Sequence, residues 1–119
     1  MNNYDDIDFL APWCALNKIF GFSPKTGLEA IRHFGSAADI FRADKKELSG
    51  FFGYGSKYTG LISGKALQES AEELTGLKES GGRFICIGDS RYPQMLRECE
   101  DPPIGLYIKG KTPIEKLDG

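Results

Sequence analysis

Glycine placement constrains this 119-residue chain more than any other feature. Gly21-Phe22-Ser23-Pro24 and Gly50-Phe51-Phe52-Gly53-Tyr54-Gly55-Ser56 interrupt stretches whose apolar residues recur every three or four positions. Such spacing marks amphipathic helices, and the interruptions keep those helices short. The front of the chain therefore reads as a series of short helices joined by tight turns. Phe9, Leu10, Trp13, Leu16, Ile19 and Phe20 define the first helix, despite Pro12 near its start. Gly21 ends it, Ser23 is placed to cap a second helix, and Pro24 falls at the first helical position, where its missing N–H costs nothing. That second helix buries Leu28, Ile31 and Phe34 and ends at Gly35. Ser36 then caps a short helix holding Ile40 and Phe41, and Asp44 with Glu47 forms an acidic capping box opening a fourth toward Leu48.

After the second turn, Tyr58, Leu61 and Ile62 return to helical spacing, and a longer helix runs through Ala66, Leu67, Ala71, Leu74 and Leu77 to Gly81-Gly82. The two halves echo each other about thirty residues apart: a helix, a glycine turn around an aromatic, and a new helix with a basic first turn, Lys25 and then Lys57. Beyond Gly82 the pattern changes. Phe84-Ile85-Cys86-Ile87 is a continuous apolar run suited to a strand of a parallel sheet, buried on both faces. A short helix follows from Tyr92-Pro93 through Met95 and Leu96, and Asp101-Pro102-Pro103 breaks it before a second strand, Ile104–Ile108. We therefore expect a mainly α chain: a helical domain over residues 1–80, then two strands and one short helix over residues 81–119 that open an α/β sheet domain. Too few residues follow Gly110 to complete such a sheet. The chain is expected to stop inside it, with Thr112 to Gly119 loosely ordered.

Two helices joined by a Gly-apolar-Gly turn make a helix-hairpin-helix pattern. Glycines accept positive φ, so the amides that open the second helix can converge on a phosphate. Gly53-Tyr54-Gly55 fits, with Ser56 and Lys57 adding a hydroxyl and a charge, whereas Gly21-Phe22-Ser23 fits only in part. Lys25, Arg32, Gly53, Gly55, Ser56 and Lys57 are thus the candidate phosphate contacts. The competing reading is a helix turn that binds nothing. Phe51, Phe52, Tyr54 and Tyr58 are candidates for stacking on unpaired bases, although aromatics at this spacing are more often core. Net charge is −2, but residues 15–65 carry eight bases (Lys18, Lys25, Arg32, Arg42, Lys45, Lys46, Lys57, Lys65) against four acids (Glu29, Asp39, Asp44, Glu47). The positive excess falls within the helical segment.

Other chemistry is poorly supported. There is no nucleophile elbow, Walker loop, zinc-protease motif or calcium loop, and the only histidine, His33, has no acidic neighbour. Cys14, Cys86 and Cys99 are odd in number and lack C-x-x-C spacing, which argues against a disulfide framework or a zinc site. Glu69, Glu72 and Glu73 read as a solvated helix face, and Gly60-x-x-x-Gly64 as a helix break or close approach. No apolar run is long enough to span a membrane, and Met1 to Asp8 lacks the basic and apolar regions of an export signal, so a cytoplasmic location is expected. No cofactor or metal is implied.

Several segments together resemble the DprA/Smf family of DNA-processing proteins. They are Ala15-Leu16-Asn17-Lys18-Ile19-Phe20-Gly21-Phe22-Ser23-Pro24, Phe34-Gly35-Ser36, Leu48 before the second glycine turn, and above all Gly88-Asp89-Ser90-Arg91-Tyr92-Pro93-Gln94-Met95-Leu96 with Asp101-Pro102-Pro103 and Leu106-Tyr107-Ile108-Lys109-Gly110. The resemblance covers nearly all of this chain and about the first third of a full family member. It implies a SAM-like or helix-hairpin-helix-like domain leading into a Rossmann-like domain. It further implies a protein that binds and protects single-stranded DNA during natural transformation and loads the recombinase RecA, without catalysis. The family's main DNA-binding surface surrounds a Gly-Ser-Arg motif that would follow the last residues here. Gly88, Asp89, Tyr92, Pro93, Pro103, Tyr107 and Gly110 are the matching motif positions, and structural support is the role expected of Tyr92 and Pro93. Two other classes stay open. In one, the helical domain is a protein-interaction or self-association module, which a contiguous exposed patch of Phe51, Phe52 and Tyr54 would favour. In the other, the sheet belongs to a nucleotide-binding enzyme, although Gly88-Asp89-Ser90-Arg91 is not a glycine-rich phosphate loop.

Overall fold

The computed structural model of this chain describes residues 3–109. Gly110 and the stretch Thr112–Gly119, expected to be loosely ordered, lie outside the described residues. A 3-10 turn at Asn3–Asp5 leads into α1 (Ile7–Ile19), α2 (Pro24–Phe34), α3 (Ala37–Arg42), α4 (Lys45–Phe52), α5 (Lys57–Leu61) and α6 (Gly64–Glu79), then β1 (Arg83–Cys86), α7 (Gln94–Arg97) and β2 (Gly105–Ile108). The architecture is mainly α with one small two-stranded sheet, as expected.

The capping residues read from the sequence act as such. Ser36 Oγ accepts the Asp39 N–H at 3.1 Å. Asp44 and Glu47 make a reciprocal box, each carboxylate accepting the other's backbone N–H, at 2.8 and 3.2 Å. Gly35, past the end of α2, takes φ 106°, a conformation that side chains resist. Two boundaries differ. α1 begins at Ile7 because Asp6 caps it, its carboxylate accepting the Asp8 N–H at 3.2 Å. α4 continues through Gly50 to Phe52, so the second glycine turn is only Gly53–Ser56. Packing of Phe51 on Phe34 and of Phe52 on Phe20 offsets the weak helix propensity of Gly50.

α1 is the element the others share. A one-faced amphipathic helix was the expectation, but Leu10, Ala11, Pro12, Cys14, Ala15 and Leu16 are all buried. At about 100° per residue this run covers most of the helix circumference. Leu16 and Phe20 pack with Ala30 of α2, Ala37 and Ile40 of α3, Leu48 of α4, Ile62 and Ile104. Leu10, Ala11 and Cys14 pack with Leu74 of α6 and with Phe84 and Cys86 of β1. The second cluster therefore draws on residues from both sides of position 80.

The parallel sheet expected from the apolar run is corrected: β1 and β2 are antiparallel, with Arg83 opposite Ile108 and Cys86 opposite Gly105. The connection, residues 87–104, is long enough for a crossover, but its two ends meet: Ile87 N–H bonds to the Ile104 carbonyl at 2.8 Å, after a turn in which Asp89 N–H bonds to the Cys86 carbonyl at 2.9 Å. β2 therefore starts beside the end of β1, whereas a parallel strand would have to start beside its beginning. Burial of Phe84, Ile85 and Cys86 on both faces of β1 is as expected: Phe84 and Cys86 face α1 and α6, and Ile85 packs with Tyr92 and Ile108.

Gly27, inside α2, is a position where only hydrogen fits. An added Cβ would lie 2.6 Å from Ile104 Cδ1 and 2.9 Å from the fully buried Phe20 ring. Gly50, by contrast, has nothing within 4 Å of that position. Gly27→Ala is expected to destabilise the fold by about 1–2 kcal/mol, overpacking outweighing the gain in helix propensity. Gly50→Ala is expected to stabilise it by about 0.5–1 kcal/mol. Urea denaturation of the two variants checks this, and an unchanged or raised midpoint for Gly27→Ala would refute the close packing described.

Candidate nucleic-acid interface

In the turn after α4 the Gly53 and Ser56 N–H groups are bonded to the Ser49 and Gly53 carbonyls, at 2.9 and 3.2 Å. Gly53 and Gly55 take φ of 100° and 80°, and Ser56 caps α5, its hydroxyl accepting the Tyr58 N–H at 3.2 Å. Lys57 opens α5, exposed, with Nζ 5.4 Å from the centre of the Tyr58 ring. Tyr54, between the two glycines, is fully exposed and borders a shallow groove lined by Lys45, Lys46, Ser49 and Gly50. The structure thus brings Gly53, Gly55, Ser56 and Lys57 together and adds two lysines that the sequence reading did not assign.

Those lysines sit where a helix disfavours them. α4 opens on Lys45 and Lys46 and α5 on Lys57, at the positive ends of their helices. None of the three forms an ion pair among the described residues, whereas Lys18 pairs with Glu73 and Lys65 with Glu69. The nearby acids, Asp44 and Glu47, are turned onto the backbone amides of their own capping box. The sequence did carry a sign of this arrangement, namely paired lysines directly behind the residue that caps a helix.

The first glycine turn is built differently. Gly21 does not take positive φ, and Ser23 caps α2 by position without a side-chain hydrogen bond. The Lys25 N–H is already bonded to the Asp101 carboxylate at 3.1 Å, so an acid of the chain itself occupies the spot a phosphate would take. The Lys25 side chain remains exposed. Arg32 lies in the last turn of α2, about 10 Å along the helix from Lys25, where a cation complements the helix dipole. His33 beside it stacks against Phe51, ring centres 4.7 Å apart.

Of the four aromatics considered for stacking, three are packed. Phe52 and Tyr58 lie against Phe20, with ring centres 5.8 and 4.5 Å away, and Phe51 meets Phe34 edge-on at 5.7 Å. Tyr54 alone of the four stands in solvent.

The motif residues of the sheet segment form an interlocked turn. Asp89, almost wholly buried, accepts the Arg91 backbone N–H at 2.9 Å and its guanidinium at 2.7 Å. Arg91 reaches on to Asp5 at 3.1 Å, and these carboxylates, Asp89 first, hold the guanidinium pKa above its ordinary value. Tyr92 donates its hydroxyl to the Pro103 carbonyl at 2.8 Å, and Arg97 lies over the Tyr92 ring while donating to the Ile87 and Asp89 carbonyls. Pro93 is buried at the N-cap of α7. A Cβ at Gly88 would lie 3.0 Å from the Tyr4 hydroxyl. Tyr107 places its hydroxyl 3.3 Å from Cys14 Sγ, and burial raises its pKa. Burial also pushes Cys86 up to about 12, which leaves its thiol protonated and inert at neutral pH. Asn17, to which the sequence reading assigned no role of its own, accepts the Gly105 N–H on its side-chain oxygen at 3.0 Å. Comparisons with protein-family models, with curated proteins and with solved structures find no match to this chain.

Alkaline stability reports on this interlock. Burial raises the Tyr92 phenol from 10.0 to about 12 and the Cys86 thiol from 9.0 to about 12. Both raised values favour the neutral forms in the fold, so their contribution is complete below pH 9.0 and lost as pH rises through about 12. Urea midpoints are expected to fall across that window. Tyr92→Phe should lose about 1 kcal/mol at neutral pH, for the hydrogen bond to Pro103, and show a shallower alkaline fall. An identical alkaline slope in the variant would show that Tyr92 titrates no differently folded or unfolded.

Proposed function

We propose that this chain is the opening part of a DNA-processing protein of the DprA/Smf type. In this reading the helical segment is SAM-like or helix-hairpin-helix-like, and the two strands open a Rossmann-like domain. Such a protein acts in the cytoplasm on incoming single-stranded DNA, protecting it and delivering it to RecA, and it catalyses no reaction. Support comes from the sequence resemblance and from the way its motif residues interlock: Asp89, Tyr92 and Pro103 hold one turn, and Asp101 ties that region to α2.

One observation carries the DNA reading of the helical segment. Lys45 and Lys46 line a groove that Tyr54 borders, and Lys57 opens the helix after the Gly53–Ser56 turn, all three without ion-pair partners among the described residues and against the dipoles of their own helices. Cations placed at such cost serve an anion better than they serve the fold. Contacts of this kind hold a phosphate backbone and do not read sequence, so binding should be nonspecific and strongly dependent on salt. The self-association reading has less behind it, because Phe51 and Phe52 are packed and form no exposed patch with Tyr54.

Fluorescence anisotropy of the chain with a labelled single-stranded oligonucleotide across a salt series tests the proposal. The triple variant Lys45→Ala, Lys46→Ala, Lys57→Ala is expected to bind several-fold more weakly at low salt. Its log–log salt dependence should be shallower by about 2, roughly 0.7 for each phosphate contact removed. Arg32→Ala should change binding little. No binding by the wild-type chain at low salt would remove the helical segment from DNA contact altogether.

A further inference from the structure

We propose that Ile104, in the segment leading into β2, is a positioning residue for Lys57: acting through Phe20 and Tyr58, it sets where that cation meets a phosphate. The inference rests on the DNA reading of the α4–α5 turn and adds to it the means by which the sheet segment controls that site.

Lys57 has no carboxylate to hold it. It forms no ion pair among the described residues and stands exposed at the start of a five-residue helix. A long, free side chain loses much conformational entropy on binding unless it is oriented beforehand. The Tyr58 ring supplies that orientation, its centre lying 5.4 Å from Lys57 Nζ, within reach of a cation–π contact. Tyr58 is fixed in its turn. Its backbone N–H donates to Ser56 Oγ at 3.2 Å, and its ring lies on Phe20 with centres 4.5 Å apart and planes inclined by 34°. Phe52, on the other side of the Gly53–Ser56 turn, lies 5.5 Å from Tyr58 and 5.8 Å from Phe20 between ring centres. Three rings therefore close the base of the turn, with Phe20 common to both flanks.

Ile104 supports Phe20 from the side of α2. Both residues are fully buried and converge on the hydrogen of Gly27, where a Cβ would lie 2.6 Å from Ile104 Cδ1 and 2.9 Å from the Phe20 ring. Packing this close leaves Phe20 no room to shift toward α2 while Ile104 is in place. Ile104 is held by its own stretch of chain. The Pro103 carbonyl accepts the Tyr92 hydroxyl at 2.8 Å, the Ile104 carbonyl accepts the Ile87 N–H at 2.8 Å, and the Gly105 N–H donates to Asn17 at 3.0 Å. A contiguous series of contacts thus leads from the hydrogen bonds of the sheet segment, through Ile104, Phe20 and Tyr58, to Lys57. Lys45 and Lys46 stand outside it. They open α4 and line the groove beside Tyr54, and neither meets an aromatic face among the described residues.

A smaller side chain at Ile104 loosens the whole core, so weaker binding by itself does not separate positioning from stability. Coupling does, because only a residue that acts through Lys57 changes what Lys57 contributes.

The test measures the affinity of the whole chain for a labelled single-stranded oligonucleotide at low salt and at a temperature where each variant is folded. Ile104→Ala, Ile104→Val and Ile104→Leu are each combined with Lys57→Ala and, separately, with Lys46→Ala. Lys57→Ala is expected to weaken binding several-fold in the wild-type background and by less than about twofold in the Ile104→Ala background, where Lys57 is already misplaced. Lys46→Ala should cost the same in both. The log–log salt dependence of Ile104→Ala should be shallower than that of wild type by about 0.7, the share of one phosphate contact. Ile104→Leu, which keeps the side-chain volume, should restore the effect of Lys57→Ala. If Ile104→Ala does not fold, Ile104→Val and Tyr58→Leu carry the same cycles, the latter removing the ring beside Lys57 while Ile104 stays in place. An effect of Lys57→Ala that is undiminished in the Ile104 and Tyr58 backgrounds, or a loss of the Lys57 and Lys46 effects together, overturns the positioning role while the phosphate reading stands. If the wild-type chain binds no oligonucleotide at low salt, both fail.

Discussion

Phe20 is the contact on which the arrangement depends. It is fully buried at the end of α1, and its ring lies against Phe52 of α4 and Tyr58 of α5. The hydrogen of Gly27 and the side chain of Ile104 close the same site. One ring thus touches the ends of both glycine turns and the segment that leads into β2. Together with the packing of Phe34 and His33 on Phe51, it positions the two turns relative to each other. The absence of a side chain at Gly27 is part of the same constraint, because Phe20 and Ile104 converge on the space a methyl group would fill.

The sheet segment is held to this helical core by polar contacts as well as by burial. Asp101 bonds the first turn of α2, Asn17 of α1 accepts the Gly105 amide, and Tyr107 meets Cys14. Asp89 carries a buried charge, and such a group persists only when paired and hydrogen-bonded. Arg91 meets that requirement from two residues away and also donates from Nη2 to Asp5, so the N-terminal turn is drawn onto the sheet as well. The Gly-Asp-x-x-Tyr-Pro pattern is explained by these contacts without any appeal to catalysis. Asp89 shapes the turn, Tyr92 ties it to Pro103, and Pro93 starts α7.

What could be read from the sequence was local. Ser36, Asp44 with Glu47, and Gly35 determine helix ends through contacts within three or four residues, and all were legible. The positive φ of Gly53 and Gly55 was legible for the same reason. What was not legible depended on distant partners. The apolar pattern of α1 showed its helical period but not the number of faces that would be covered, because α6 and β1 arrive from more than forty residues away. The strand run indicated burial on both faces, but the parallel direction read from it was wrong, because direction depends on where residues 87–104 return the chain, and that is beside Ile87 at the end of β1. Asp101 at the start of α2 and Asn17 at Gly105 are single contacts across 76 and 88 residues, and no periodicity announces them.

Local consistency also separates residues that serve the fold from those that serve something else. Ser, Asp and Gly at the helix boundaries all lower the energy of the structure they sit in. Lys45, Lys46 and Lys57 at helix N-termini oppose their own dipoles, and Phe22 and Tyr54 leave whole aromatic rings in water. Lys57 and the two aromatics sit at the two glycine turns, and Lys45 and Lys46 line the groove beside Tyr54. Selection for folding alone would replace them at no structural cost, since none is buried or bonded within the core. In the proposed DNA reading the three cations have a role, because a polynucleotide backbone supplies the anions that the fold does not.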